Sequence, residues 1–432
     1  MSKYKRYERY KDSGIEWIGE IPEHWGIIKL KFLSTIFKGK NLKELTDEWR
    51  EEILPYLSME YLRNSGDTLT LYAYPEKNLV TVNNGDILIL WDGSNAGEIL
   101  EGKNGILSST MAKIVPNNIV TRYLYWFLKG IEKFFKGNTV GMGIPHVNGE
   151  ILKNHLVLLP NLEEQNSIAN FLDQKTAEID SLIADKKKLI ELLQEKRQAI
   201  ITEAVTKGLN PNVKMKDSGI EWIGEIPEHW EIKPLKRIFK IVNGGTPSSS
   251  EESYWNGDIT WITPNDLSNL TEIYIKDSER KITKDGLHNC SAKIVPKGSI
   301  VISTRAPIGY VAIAGVDLCT NQGCKSLVAI NKVNPKYFYY WISSISFYLN
   351  VLGQGTTFME LSNNNLSMVE LLIPLLSEQE KIASFLDQKT AEIDDLIFDI
   401  NTQIQKLKEY RQSLISEAVT GKIDVRDYVV SN

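Results

Sequence analysis

Cysteine is scarce. The 432-residue chain has three, Cys290, Cys319 and Cys324, too few and too odd in number for a disulfide framework. Long apolar runs are missing too: none reaches the roughly 18–20 residues that span a bilayer. The basic opening MSKYKRYERYKDSG lacks the apolar stretch of a secretory signal. Together these absences predict a reducing, cytoplasmic compartment and no membrane association. Positive charge is not in excess either. Lys+Arg 50 against Asp+Glu 55 leave a net charge of −5, which excludes a uniformly basic nucleic-acid coat but not a locally basic groove. Apolar residues at 42% and charged residues at 24% exclude a collagen-like or largely disordered chain.

What the chain does have is itself, twice. Lys11–Trp25 reads KDSGIEWIGEIPEHW, and Lys216–Trp230 repeats it without a mismatch, at an offset of 205 (216 − 11). Phe171–Asp180, FLDQKTAEID, returns at Phe385–Asp394, at an offset of 214 (385 − 171). Two such matches in the same order make the chain two copies of one unit. Between the matching blocks, residues 26–160 and 231–374 share a pattern but little identity. Each has an apolar strand running into small and polar residues (GDILILWDGSNAGEI from Gly85, GSIVISTRAPIGYVAI from Gly298). A polar turn and another strand follow, SSTMAKIVP from Ser108 and TNQGCKSLVAI from Thr320. Each closes on a strand ending at Pro160 or Pro374. With helices around Thr121–Phe135 and Pro335–Leu349, each interior reads as a mixed α/β globule of about 150 residues.

Two long helices complete the frame. One is predicted from about Asn161, capped with Glu164 three residues on, to Lys207. The other runs from about Ser377, with Ser377 and Glu380 as a capping box, to Thr420. Gly208 and Gly421 are the stops. Ile393, Ile400, Leu407 and Leu414 repeat every seven residues, with Leu396, Ile397, Ile404 and Tyr410 beside them. Ile179, Leu182, Ile183, Leu189, Ile190, Leu193 and Ile200 form a similar stripe, interrupted by Lys186 and Lys196. Such stripes need a partner, and in a duplicated chain the economical one is the other helix, antiparallel under a pseudo-dyad. The chain ends then become neighbours, and the chain is nearly circular.

Catalytic signals are weak. Asn334-Pro335-Lys336-Tyr337 lacks the second proline of an amino-methyltransferase motif and reads as a helix start; no Walker A string or nuclease carboxylate cluster stands out. His288, Cys290, Cys319 and Cys324 fit no standard zinc spacing and read as structural. His24 and His229, identical in both copies, read as packing residues rather than acid–base groups. Polar clusters at strand ends read differently, because Arg, Lys, Asn and Gln pair with base edges while Ser and Thr reach phosphates or bases. In the first interior these are Ser94, Asn95, Ser108, Ser109 and Thr110; in the second, Thr304, Arg305, Asn321, Gln322 and Lys325. Lys29, Lys31, Lys38, Lys40 and Lys43, with Lys233, Lys236, Arg237 and Lys240, are candidate phosphate contacts. A solvated loop is the bland alternative for each residue taken singly. The residues alone thus leave three classes open: a two-lobed DNA binder, a stand-alone nuclease or methyltransferase, and a coiled-coil protein scaffold.

The combination resembles the specificity subunit of type I restriction–modification systems, over essentially the whole chain. The resemblance rests on the doubled SGIEWIGEIPEHW opening, on Asn243-Gly244-Gly245-Thr246-Pro247 followed by YWNGDI and WITP, and on the Pro374-Leu375-Leu376-Ser377-Glu378-Gln379 exit. The Thr-Ala-Glu-Ile tetrads at Thr176–Ile179 and Thr390–Ile393 are similar to a spacer element of some members. The first interior departs, with Lys38-Gly39-Lys40-Asn41 in place of the NGGTP turn and PNLEEQ at its exit. The resemblance implies an α+β fold with two target-recognition domains, residues 1–160 and 209–376. They are separated by two long antiparallel helices, 161–208 and 377–424, with a tail at 425–432. It adds Asn243 and Thr246 to the candidate DNA contacts. It implies that each domain reads half of a bipartite double-stranded DNA target in the major groove, without catalysis by this chain. Two methyltransferase subunits using S-adenosylmethionine, and restriction subunits using ATP and magnesium, would be its partners.

Overall fold

The computed structural model describes residues 4–63, 70–305, 307–353 and 360–428. It divides into two compact units, Met1–Lys187 with Asn401–Asn432, and Lys188–Ile400. In the first unit a four-stranded antiparallel sheet runs in the order Ser34–Lys38, Met111–Pro116, Ile87–Leu90, Ile99–Glu101. The Ile87–Leu90 strand reads ILIL and is buried at every position, as an inner strand covered on both faces must be. A second sheet orders Tyr72–Ala73, Leu54–Leu57, Gly105–Leu107 and Thr81–Val82. Gly26–Lys29 pairs with Leu156–Leu159, so the interior leaves beside the point where it entered.

The second unit is built the same way. Its main sheet runs Phe239–Asn243, Cys324–Ala329, Ile300–Ser303, Val311–Ala314, Tyr274–Ile275, beside a three-stranded sheet of Lys281–Ile282, Trp255–Ile262 and Cys319–Thr320. Glu231–Pro234 pairs with Glu370–Ile373. The expected helices exist but are broken: Thr121–Gly130 then Glu132–Gly137, and Pro335–Ser344 then Ser346–Val351. Both breaks fall at an isoleucine outside the helical region, Ile131 (φ −106, ψ 10) and Ile345 (φ −103, ψ 14). Asn334 caps its helix as expected, its side chain accepting from the backbone N–H groups of Lys336 and Tyr337, with Pro335 at the first turn.

The long helices span Leu162–Lys207 and Leu376–Val419. Asn161 caps the first, its Oδ1 2.9 Å from Glu164 N. The second differs from the expected box. It starts at Leu376, so Ser377 lies inside it, and the carboxylate of Glu378, not Glu380, reaches back to Leu375 N at 3.3 Å. Leucine at the cap offers no side-chain oxygen, and half of the reciprocal pair is all that can form. Both helices end against a buried tryptophan of the repeated block. Gly208 (φ 74) and Gly421 (φ 70) adopt the left-handed turn, and a Cβ there would lie 3.2 Å from Trp230 and 3.1 Å from Trp25.

Within each unit the helix segments pair antiparallel. In the first, Asp180 takes Arg411 (3.0 Å) and Lys186 takes Gln403 (2.6 Å). In the second, Arg197 faces Asp394 at 3.4 Å. Ile179, Ile183, Ile393, Ile400, Ile404 and Leu414 are buried, as the stripes predicted. Leu182, Leu189 and Leu396 are not: each stays about half exposed, because a two-helix seam covers a strip narrower than the apolar face. The ends of the chain meet in the first unit. Lys5 bridges Asp424, Tyr10 donates to the carbonyl of Gly421 at 3.0 Å, and Lys422 donates to that of Glu20 at 2.5 Å.

Candidate nucleic-acid interface

The repeated block locks each interior to a helix start. His24 Nε2 lies 2.9 Å from Glu164, and His229 Nε2 2.9 Å from Glu378. Gln165, buried at the first helix start, accepts from Val120 N and donates to Pro160 O; Gln379 accepts from Asn334 N and donates to Pro374 O. About two turns on, Asp173 holds Arg122 (2.6 Å) and Trp126 (2.8 Å), while Asp387 holds Lys336 and Tyr340 (2.9 Å). Each globule thus sits on the frame through the same three contacts, and the histidines work as packing and pairing groups.

At the far end of the sheet three strands deliver residues to one edge. Trp91 and Asp92, past the Ile87–Leu90 strand, both bond the carbonyl of Thr110, which precedes the Met111–Pro116 strand. Lys38 ends the outer strand beside them, 3.3 Å from Asp92 and 5.5 Å above the Trp91 ring. His146 closes the group, its Nδ1 2.6 Å from the other oxygen of Asp92. Ser94 and Asn95 stand exposed on the next turn. Ser108 is buried, its hydroxyl 3.0 Å from that of Thr110, so it supports the exposed Thr110 from beneath; Ser109 is half buried. Lys40 bridges Ser108 through the backbone and keeps its side chain outside. The glycine between the lysines is required, since a Cβ on Gly39 would lie 2.0 Å from the Ser108 carbonyl.

The second unit repeats this edge with other residues. Thr304 and Arg305 both bond the carbonyl of Gly323, as Trp91 and Asp92 bond Thr110. Glu360 stands where His146 stands, bridged to Arg305 as His146 is to Asp92. Arg305 Nε lies 3.1 Å from Glu360, and Lys325 Nζ 3.9 Å from its other oxygen. Asn243, Thr246 and Gln322 are exposed, and Thr246 donates to Gln322. Two candidates lie below the surface. Thr304 is fully buried, with its hydroxyl on the Gly323 carbonyl, so it shapes the edge and does not reach out of it. The side chain of Lys325 is 7% exposed, and burial lowers its pKa while Glu360 opposes the drop, so it holds Glu360 in place. Asn321 is half buried, its Oδ1 accepting from Gly323 N.

The structure also adds residues. Asp92, Trp91, His146 and Glu360 complete the two constellations. Their only sequence signal is position, just beyond an apolar strand or just before the exit. The basic runs are divided: Lys31 bonds Asn154 ahead of the Ser34–Lys38 strand, while Lys38 ends that strand and Lys40 follows it. Cys319 and Cys324 are buried, and burial pushes the Cys319 thiol up to about 12, away from the thiolate a metal needs. Among the described residues no group of three or more His, Cys, Asp or Glu side chains is arranged to hold a metal. No helix among them is long and apolar enough to cross a membrane.

Two copies of one polar edge, each carried on the same helical frame, define a protein with two matched recognition surfaces. The family described as "Type I restriction modification DNA specificity domain" matches residues 22–192 and 227–406, once per copy. The chain is 32% identical over 423 residues to the type I restriction enzyme MjaVIII specificity subunit of Methanocaldococcus jannaschii, covering 94% of this chain and 95% of that one. It is 23% identical to the EcoBI specificity subunit of Escherichia coli, covering 95% and 89%. A solved structure titled for complex assembly and conformational transition of the type I R-M system aligns with a TM-score of 0.71 at 16% identity, covering 92% of this chain and 98% of that one. The HsdS subunit from Thermoanaerobacter tengcongensis aligns at 0.52, with 18% identity, covering 93% and 98%, and so shares the fold. The chain belongs to the type I restriction–modification specificity family: it is the non-catalytic DNA specificity subunit of such a system.

Proposed function

We propose that each interior reads one half of a bipartite double-stranded DNA target through its strand-end edge, in the major groove. One observation carries this reading. The two edges have the same backbone geometry and reversed chemistry: a central carboxylate, Asp92, between Lys38 and His146 in the first, and Arg305 held by Glu360 in the second. A constant scaffold presenting different donors and acceptors is what reading two different sequences requires. The exposed readers are Lys38, Lys40, Ser94, Asn95 and Thr110 in the first unit, and Asn243, Thr246, Arg305 and Gln322 in the second.

The partners of this reading are two modification subunits that methylate adenine with S-adenosylmethionine, and restriction subunits that use ATP and magnesium. Those cofactors belong to the partner chains, and the assembly works in the cytoplasm. Leu189 and Leu396, about half exposed on the helices, supply apolar surface for such partners. The helices also set the distance between the half-sites. Inserting Thr-Ala-Glu-Ile after Ile179 adds ~6 Å of helix, which should lengthen the spacer by one or two base pairs. The test of the whole reading is to replace residues 26–155 with the interior of a relative and map methylation across the genome. One half-site should change and the other persist; a change in both refutes independent readers.

A further inference from the structure

The frame is built twice, and at one place only one copy is finished. Phe171 and Phe385 occupy the same position of the repeated FLDQKTAEID block. Phe171 is fully buried, because Tyr4 and Tyr428 pack edge-on against it at 5.3 and 4.8 Å, and Lys175 lies 5.4 Å over the Tyr428 ring. In the second unit Phe385 is only partly buried and opens on a groove of about 920 Å³, with Ile200, Leu209, Met215 and Ile223 along it. Leu414, the first-unit counterpart of Ile200, is buried, whereas Ile200 is only partly buried.

The reason for the difference is chain length. In the first unit two segments, residues 4–9 and 422–428, fold over the seat. In the second, residues 208–214 alone join the helix to the Met215–Asp217 strand, and they run directly along the groove without closing it. The rim is acidic, with Glu203 and Glu225 against Lys207. In the first unit the counterpart of Glu225 is Glu20, and there a lysine of the covering segment, Lys422, donates to its carbonyl. In the first unit the seat is therefore covered by aromatic rings, and the segment that carries Tyr428 also brings Lys422 to the backbone of Glu20.

We infer that the Phe385 groove seats a basic, aromatic-bearing segment of the modification subunit that docks on the second unit. This rests on the proposal that modification subunits are the partners, and it makes the two docking events unequal: one seat is filled in cis, the other in trans. The test uses the full chain co-purified with its modification subunit, with stoichiometry read by native mass spectrometry. The wild type should bind two copies. Glu203→Lys with Glu225→Lys, both at exposed rim positions, should weaken one copy at least tenfold and leave a one-to-one complex with an unchanged melting temperature. Phe385→Ala should weaken the same copy, with a lower melting temperature because the ring also packs on the core of the second unit. A photo-crosslinking residue at Leu209 should attach to the modification subunit at an aromatic segment. Two copies still bound by both variants, or a Leu209 crosslink to DNA, to a restriction subunit or to a second copy of this chain, overturns the inference. A wild-type chain that binds no modification subunit overturns the partner assignment itself.

Discussion

Arg305→Ala tests the reader edge most directly. In the free subunit Arg305 is about half exposed and its pair with Glu360 is solvent-screened, so the fold should lose no more than about 1 kcal/mol. On the proposed reading the same guanidinium makes a paired contact with a base edge, a contact that discriminates by about 1–3 kcal/mol, or roughly 5- to 150-fold. The loss should be confined to the second half-site. On the same reading, removing the arginine leaves Glu360 facing the duplex with the recessed Lys325 as its cation among the described residues. Adding Glu360→Ala should therefore recover non-specific binding without recovering the sequence preference. The assay is competition binding by the assembled complex, using duplexes altered in one half-site at a time, across a range of salt. If Arg305→Ala weakens all duplexes alike and lowers the salt slope by about one, it is a phosphate contact and the assignment is wrong. Unchanged binding removes it from the interface.

Gly244→Ala should also impair the second half-site, by distortion, because its Cβ would fall 1.8 Å from the Asn321 carbonyl and the turn must open at about 1–3 kcal/mol; Gly39→Ala should do the same to the first, and normal recognition by both would refute the close-approach argument. Joining the chain ends and opening the chain at Asn210–Asn212, an exposed stretch, should preserve folding, as circular dichroism would report; an insoluble permutant counts against the cyclic frame. Burial beside Phe127, Phe134 and Phe135 lowers the pKa of His155 to about 4. Its neutral form is favoured in the fold, so its contribution is whole above pH 6.5 and is lost as pH falls toward 4, about 3 kcal/mol at most. Urea unfolding at pH 7 and 4.5 should show a smaller acid loss for His155→Phe than for wild type, and equal losses would refute the assignment.

The duplication, the long helices with Asn161 and both glycine stops, and the meeting of the chain ends were legible in the residues, because local capping chemistry and exact repetition need no tertiary information. The family resemblance was legible for the same reason: its motifs lie in the constant frame. Packing decided the rest. The apolar stripes marked Leu182, Leu189 and Leu396 as seam residues, but a two-helix contact is too narrow to cover them. Residue type nominated Thr304, Ser108 and Lys325 as readers, yet register turned all three inward, where they brace the edge. Asp92 with His146, and Arg305 with Glu360, are 54 and 55 residues apart in the chain. No local pattern joins them; the sheet does, by ending its strands at one edge. The filled and open aromatic seats make the same point, since Phe171 and Phe385 lie in identical sequence and differ only in what the chain can fold over them.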